Sequence, residues 1–246
     1  MVILQGFTKG IVKTDYNTFI QCFHDCDIGM KKISISVLLF LVCVYSVSAA
    51  SSDSISTVYQ NGAFVTQYTI KIKYLPKVTA EVADYLVTDF HTKPGNLFNW
   101  ALKDLGLQNK SNELIIVFRD SNHDIKTGIT HGKFDVVVPN FTTFSNIKVD
   151  AIVAKTNYSN GVTKVKANIV YSSLLLKNAL GTLSIVPQQN NEQLLITNVT
   201  IQFGWFFNLF ITQKRYKSIV EWRIKKFAEN IKAECERRQS EIVNQK

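Results

Sequence analysis

The stretch FFNLFITQKRYKSIVEWRIKKFAENIKAECERR, residues 206–238, reads as one long amphipathic helix. Leu209, Tyr216, Val220, Ile224, Phe227, Ile231 and Cys235 recur at helical spacings and share one apolar stripe. Lys214, Glu221, Lys225 and Lys232 lie opposite. Glu221 precedes Lys225 by four residues, the favoured order for a helical ion pair. Trp222 falls off the stripe and, among Arg223, Lys225 and Lys226, reads as a surface side chain at a lipid interface or partner contact. A helix with one long apolar face needs a second layer to bury it.

The residues before it supply that layer. Phe64, Tyr68, Ile70, Ile72 and Tyr74 alternate with polar neighbours, the period of a half-buried strand, and Pro76 ends it. Val82, Tyr85, Leu86 and Phe90 then mark one face of a helix, which Lys93, Pro94 and Gly95 break. Asn96 is placed to cap a second short helix with Leu97, Ala101 and Leu105 inside and Gly106 at its end. From Asn112 the period returns to two. Strands are expected near 113–119, 131–138, 147–155, 162–171, 179–187 and 192–203. Asp120 to Asp124, Pro139 with Asn140, Asn157 to Gly161, and Gln188 to Asn191 provide the turns. Short connections between consecutive strands make them antiparallel. Val165, Ala167, Ile169 and Tyr171 are expected to face inward, leaving Lys164, Lys166 and Asn168 outside.

The expected fold is therefore α+β: a curved antiparallel sheet of about seven strands, two short helices after the first strand, and a long C-terminal helix across the sheet. This order resembles the helix-grip fold of the START/Bet v 1-like (SRPBCC) superfamily over residues 63–235. The resemblance lies in element order and the C-terminal helix, with no sequence motif. A TATA-binding-protein-like domain of exported bacterial proteins is the alternative, with fewer strands per helix. The helix-grip resemblance implies a cavity between sheet and helix that holds lipids, sterols or other apolar molecules. It assigns no catalytic residue.

The N-terminal part concerns address. Lys31 and Lys32 follow Met30. An apolar run from Ile33 to Val47 comes next and closes on Ser48, Ala49 and Ala50. This is the order of a cleaved signal peptide, and the run is shorter than the roughly 20 residues of a bilayer span. The organisation expected is a spurious N-terminal extension (1–29), a signal peptide (30–50), a flexible leader (51–62), a single domain (63–238) and a polar tail (239–246). The destination is periplasmic or secreted. Asn109, Asn140, Asn157 and Asn198 open N-x-S/T sequons, which matter only in a eukaryotic secretory route. Cys22 and Cys26 have no second ligand pair nearby. Cys43 lacks the small preceding residue of a lipoprotein signal, and Cys235 remains as a buried thiol. Residues 51–246 carry 24 Lys and Arg against 16 Asp and Glu. Outside the cytoplasm nucleic acid is not the expected partner, and this excess suits an anionic membrane surface or polysaccharide.

Few residues suggest chemistry. His91, His123 and His131 have no zinc-ligand spacing, and no HExxH, GxSxG, Walker loop or GxGxxG is present. His91 ends a helix, where an imidazolium suits the dipole. Asp120, Asn122 and Asp124 open like a calcium loop, but Ile125 and His131 stand where Gly and Glu are needed. No metal or cofactor is expected. The strongest candidate site is aromatic: Phe203, Trp205, Phe206, Phe207 and Phe210 crowd around Gly204. Phe203, Trp205, Phe206, Phe210 and Tyr171 are the expected ligand-binding residues. Two functions fit: an exported protein holding an apolar small molecule or lipid, or a structural or interaction domain of the cell envelope with a filled core.

Overall fold

The computed structural model describes residues 53–106, 114–173, 175–209 and 211–244. The extension, the signal segment, Asn109 and Phe210 lie outside them.

Strands β1 (Ser54–Gln60) and β2 (Ala63–Ile72) form a hairpin. Its turn, Asn61–Gly62, places both residues at positive φ, 51° and 75°. Such turns match the twist of the flanking strands and select Asn-Gly. The stretch read as a flexible leader is thus mostly a strand. Its serines hid the alternation, while the Asn-Gly signal marked the hairpin.

Helix α1 (Pro76–Thr92) starts with proline in its first turn, where the missing N–H costs nothing, and ends before Lys93 and Pro94. Pro94–Asn99 is a 3-10 turn rather than a second α-helix. Asn96 does not cap it. Its amide donates to Asp89 Oδ2 at 2.7 Å and to Tyr85 Oη at 3.1 Å. Trp100 Nε1 donates to the same buried Asp89 oxygen at 2.9 Å and stacks on Tyr85. These bonds fold the connection back onto α1.

Six more strands follow: β3 (Ile115–Asp124), β4 (Ile129–Val138), β5 (Thr142–Asn157), β6 (Thr163–Ser172), β7 (Leu176–Pro187) and β8 (Gln193–Phe203). Asp120 to Asp124, read as a turn, belong to β3. The turn falls later, where Asp124 accepts from Lys126 N and Thr127 Oγ1 and Gly128 has φ +69°. The eight strands make one antiparallel sheet in the order β1-β2-β8-β7-β6-β5-β4-β3. Register shifts interrupt four of the pairings, and bulges of this kind bend a sheet.

After β8 come a single turn α2 (Trp205–Asn208) and α3 (Gln213–Tyr216), whose Thr212 side chain accepts from Arg215 N. A π-helical turn, Lys217–Glu221, leads directly into α4 (Trp222–Asn244). The π turn inserts an extra residue and rotates the two halves of the apolar stripe relative to each other. Glu221, read as the partner of Lys225, receives a hydrogen bond from Thr57 at 2.6 Å. Leu209 is exposed, and Trp222 is half-buried rather than a surface side chain. Of the stretch read as a polar tail, residues 239–244 continue α4, and Gln239 Oε1 accepts from Leu75 N.

Ile224, Ala228, Ile231 and Cys235 on α4 share one core with Tyr68, Ile70 and Ile72 of β2, Leu195 of β8 and Val82, Ala83 and Leu86 of α1. One long helix seated on one antiparallel sheet, with the helical connection after β2, is the helix-grip arrangement. A single sheet with strands β3 to β8 in sequential order leaves no repeated sheet-and-helix unit of the TATA-binding-protein kind.

Candidate ligand cavity

The layers do not close completely. A cavity of about 280 Å³ lies between α4, α1 and the inner face of the sheet. Val153 of β5, Val165 and Ala167 of β6, Leu183 of β7 and Val199 of β8 form its floor. Leu86 and Phe90 of α1, Leu97, Leu102 and Leu105 of the connection, and Ile224 and Phe227 of α4 form the rest. The void arises where small residues meet large spans. Ala167 and Gly181 are neighbours in the β6–β7 register, and neither fills the space beneath the helix. A Cβ placed on Gly181 would meet only the Ala167 carbonyl oxygen, at 4.0 Å.

Three residues with polar side chains, Thr182, Thr197 and Arg223, stand in the otherwise apolar lining. Thr197 of β8 is 3% exposed, and its Oγ1 has no hydrogen-bond partner among the described residues. Arg223, the second residue of α4, is 8% exposed. Its Nε donates to Leu105 O at 2.8 Å, Nη2 to Leu114 O at 2.9 Å, and Nη1 to Ile219 O. Ile219 belongs to the π turn, where the helical ladder is loosened and a carbonyl can turn to a side chain. Burial lowers the Arg223 pKa to about 10, which still leaves the guanidinium charged at neutral pH.

None of the expected ligand-binding residues within the described chain lines this cavity. Phe203 packs between Phe64 and Tyr216, at 6.2 and 6.3 Å between ring centroids. Tyr216 stacks on Phe64 at 4.1 Å and shares a hydrogen bond with Thr66, closing that end of the core. Phe206 meets Phe207 and Phe144, while Trp205 is 80% exposed. Tyr171 is displaced by the bulge between Asp150 and Ala151. Residue 170 has no partner there, so Val170 and Tyr171 both face solvent. Arg223 and Thr197 went unread as site residues. The available signal was spacing: Arg223 stands three after Val220 and four before Phe227, a charge at the margin of the apolar stripe.

The other candidates have structural places. His91 Nε2 lies 3.1 Å from Val153 O, and His123 Nδ1 lies 2.8 Å from Thr130 Oγ1. His131 pairs with Asp150 at 2.7 Å. Among the described residues no group of three or more His, Cys, Asp or Glu is arranged to hold a metal. Cys235 is buried, and burial pushes its thiol up to about 12, out of range for a nucleophile at neutral pH.

No protein-family model matches the chain, and no curated protein sequence matches it. Solved structures do. A START superfamily protein from Mycobacterium smegmatis is 11% identical with a TM-score of 0.41, covering 70% of this chain and 97% of its own. A STAR-related lipid transfer protein from Xanthomonas axonopodis is 11% identical with a TM-score of 0.42, covering 76% and 99%. Norcoclaurine synthase from Thalictrum flavum, with dopamine and hydroxybenzaldehyde bound, is 13% identical with a TM-score of 0.33, covering 71% and 89%. With every one of these scores below 0.5, the START/Bet v 1-like helix-grip fold stands on the strand order and the seated helix described above.

Proposed function

We propose that this is an exported protein that binds an apolar small molecule or lipid chain in the cavity between sheet and α4. The observation that carries the reading is the cavity itself: about 280 Å³ beneath α4, lined almost entirely by carbon. That volume sits at the lower edge of the roughly 300–1,000 Å³ common for ligand pockets. It suits one compact molecule or a single chain, not a two-tailed lipid. Burial of about 25 cal/mol per Å² of apolar area is the driving force. Native mass spectrometry of the purified protein, with Gly181→Leu alongside, tests the reading. A bound small molecule in the wild type and none in the variant supports it. Identical bare masses after exposure to apolar ligands favour the filled-core structural role.

Export rests on the Met30–Ala50 stretch, outside the described residues. N-terminal sequencing of exported material should find Ala50 or Ser51 first. A mature protein that keeps residues 1–29 contradicts export by cleavage.

A membrane is the proposed source or destination of the ligand. Trp205 and Leu209 are 80% and 71% exposed beside α3, whose neighbourhood carries exposed Lys214 and Lys217. Phe141, 68% exposed, lies in the turn before Phe144, whose ring meets Phe206 and Phe207. Exposed aromatics flanked by lysines suit an anionic headgroup layer. Cosedimentation with vesicles containing phosphatidylglycerol should weaken several-fold in Trp205→Ala and fall with salt. Equal binding by both proteins rules this contact out.

A further inference from the structure

We infer that the outer edge of β1 pairs with the same edge of a second copy of this chain, joining the two sheets across a two-fold axis at Thr57. This is independent of the cavity and of what fills it.

The sheet ends on β1 at one side and β3 at the other, and the two edges are built differently. A sheet edge presents unpaired N–H and C=O groups, and proteins blunt it with charges, proline, a bulge or a covering segment. β3 has such devices. A register shift between Phe118 and Asp120 breaks its line, and Arg119, Asp120 and Asp124 put charges along it. The connection after α1 covers it: Ile116 N donates to Gly106 O at 2.8 Å, and Phe98 stacks on Phe118 at 4.4 Å. β1 is not blunted in this way. Ser54–Gln60 reads SISTVYQ, with no charge and no proline, and it pairs with β2 without a shift. Among the described residues no strand lies beyond it, and Val58 and Tyr59 are 52% and 49% exposed.

The edge also fits itself. The two-residue turn makes Gln60 and Ala63 a hydrogen-bonded pair, and alternation then turns the backbone groups of Val58, Ser56 and Ser54 toward β2. Those of Ile55, Thr57 and Tyr59 point outward. An antiparallel copy centred on Thr57 sets these three opposite Tyr59, Thr57 and Ile55 of the second copy, so each outward residue meets another. This is also the register of longest overlap. The side chains agree with it. Ile55 and Tyr59 share the face on which Tyr59 packs against Phe64, so the pairing lays an aliphatic side chain beside each half-exposed ring. No like charges meet. A strand from another protein would satisfy the backbone alone, whereas the second copy satisfies backbone and side chains together.

Sedimentation equilibrium of the purified protein tests the pairing. The wild type should form a dimer. Ser56→Lys combined with Val58→Lys puts lysines at two exposed positions that face each other across the axis. The double variant should dimerise at least tenfold more weakly and melt at the same temperature as the wild type. Register is tested by mixing Ser56→Cys protein with Val58→Cys protein. Across the axis these positions form a non-hydrogen-bonded pair, with Cα atoms about 4.5 Å apart and within reach of a disulfide. Oxidation should cross-link the mixture but neither variant alone, a comparison that also discounts the native cysteines. A wild type that stays monomeric at millimolar concentration overturns the second copy as the occupant of this edge. A dimer that both lysines leave intact, or cross-linking no greater in the mixture than in either variant alone, places the interface elsewhere and overturns the proposal equally.

Discussion

Thr66 joins three elements through one hydroxyl. Its Oγ1 lies 3.1 Å from Tyr216 Oη and 3.0 Å from Thr57 Oγ1, and Thr57 donates in turn to Glu221. Strands β1 and β2 are thereby tied to the π turn. Thr66 is fully buried, so Thr66→Val should cost about 1–3 kcal/mol by leaving its partners short of a bond. Urea denaturation checks this, and a loss under about 0.3 kcal/mol would mean the chain of hydroxyls is not a stabilising contact. Glu234 is a second such residue. Burial opposes its ionisation, but Arg237 and Arg238, at 2.7 Å, hold its carboxyl below the usual glutamate range. Its folded pKa lies under the unfolded value of about 4.3, so its contribution is present above that pH and is lost as pH falls through the folded value. Wild type and Glu234→Gln should therefore differ in thermal stability at neutral pH and converge in acid. A gap that stays constant down to acid pH contradicts the ion pairs. The hydroxyl chain was not legible in the sequence, because Tyr216 and Glu221 lie 150 and 164 residues from their partners Thr66 and Thr57; the Glu234 pairs stand at i+3 and i+4, a spacing the sequence does show.

At the scale of elements, α4 was the most legible part. Period 3.6 over several turns marks a buried stripe whatever lies beneath it, and Ile224, Ile231 and Cys235 are buried as the spacing requires. Ile231→Ala should cost about 2–5 kcal/mol, while Lys225→Ala, exposed, should stay under about 0.5 kcal/mol. Equal small losses in denaturant melts would mean the helix is not docked on the sheet. The strands were legible where alternation was clean, as in β2, and misread where it was broken. Serines concealed β1, and polar residues at the end of β3 passed for a turn. The bulge that turns Tyr171 outward has no local signature, since one extra residue in a strand reverses facing without changing composition. The π turn is equally silent, and with it went the phase that brings Arg223 inside.

For the whole molecule, the order strand, helical connection, strands, long helix was enough to anticipate a sheet gripping a helix, and with it a space between the two. Which residues line that space was not anticipated. Aromatic crowding around Gly204 pointed to the sheet–helix junction, but large rings fill volume, and Phe203 closes the core there with Phe64 and Tyr216. The void sits where side chains are smallest, at Ala167 and Gly181. Absence of a side chain is a weak signal in a sequence until the register sets two such residues side by side. The central claim is that this void is a binding site. Titrating the wild type and Gly181→Leu with N-phenyl-1-naphthylamine tests it most directly, because a Cβ at Gly181 meets no closer contact than 4.0 Å and the added chain has the cavity to enter. Saturable enhancement of fluorescence in the wild type, lost by at least tenfold in affinity in a variant that melts no lower, is the expected result. Equal binding by the two proteins, or none by the wild type, would contradict the account.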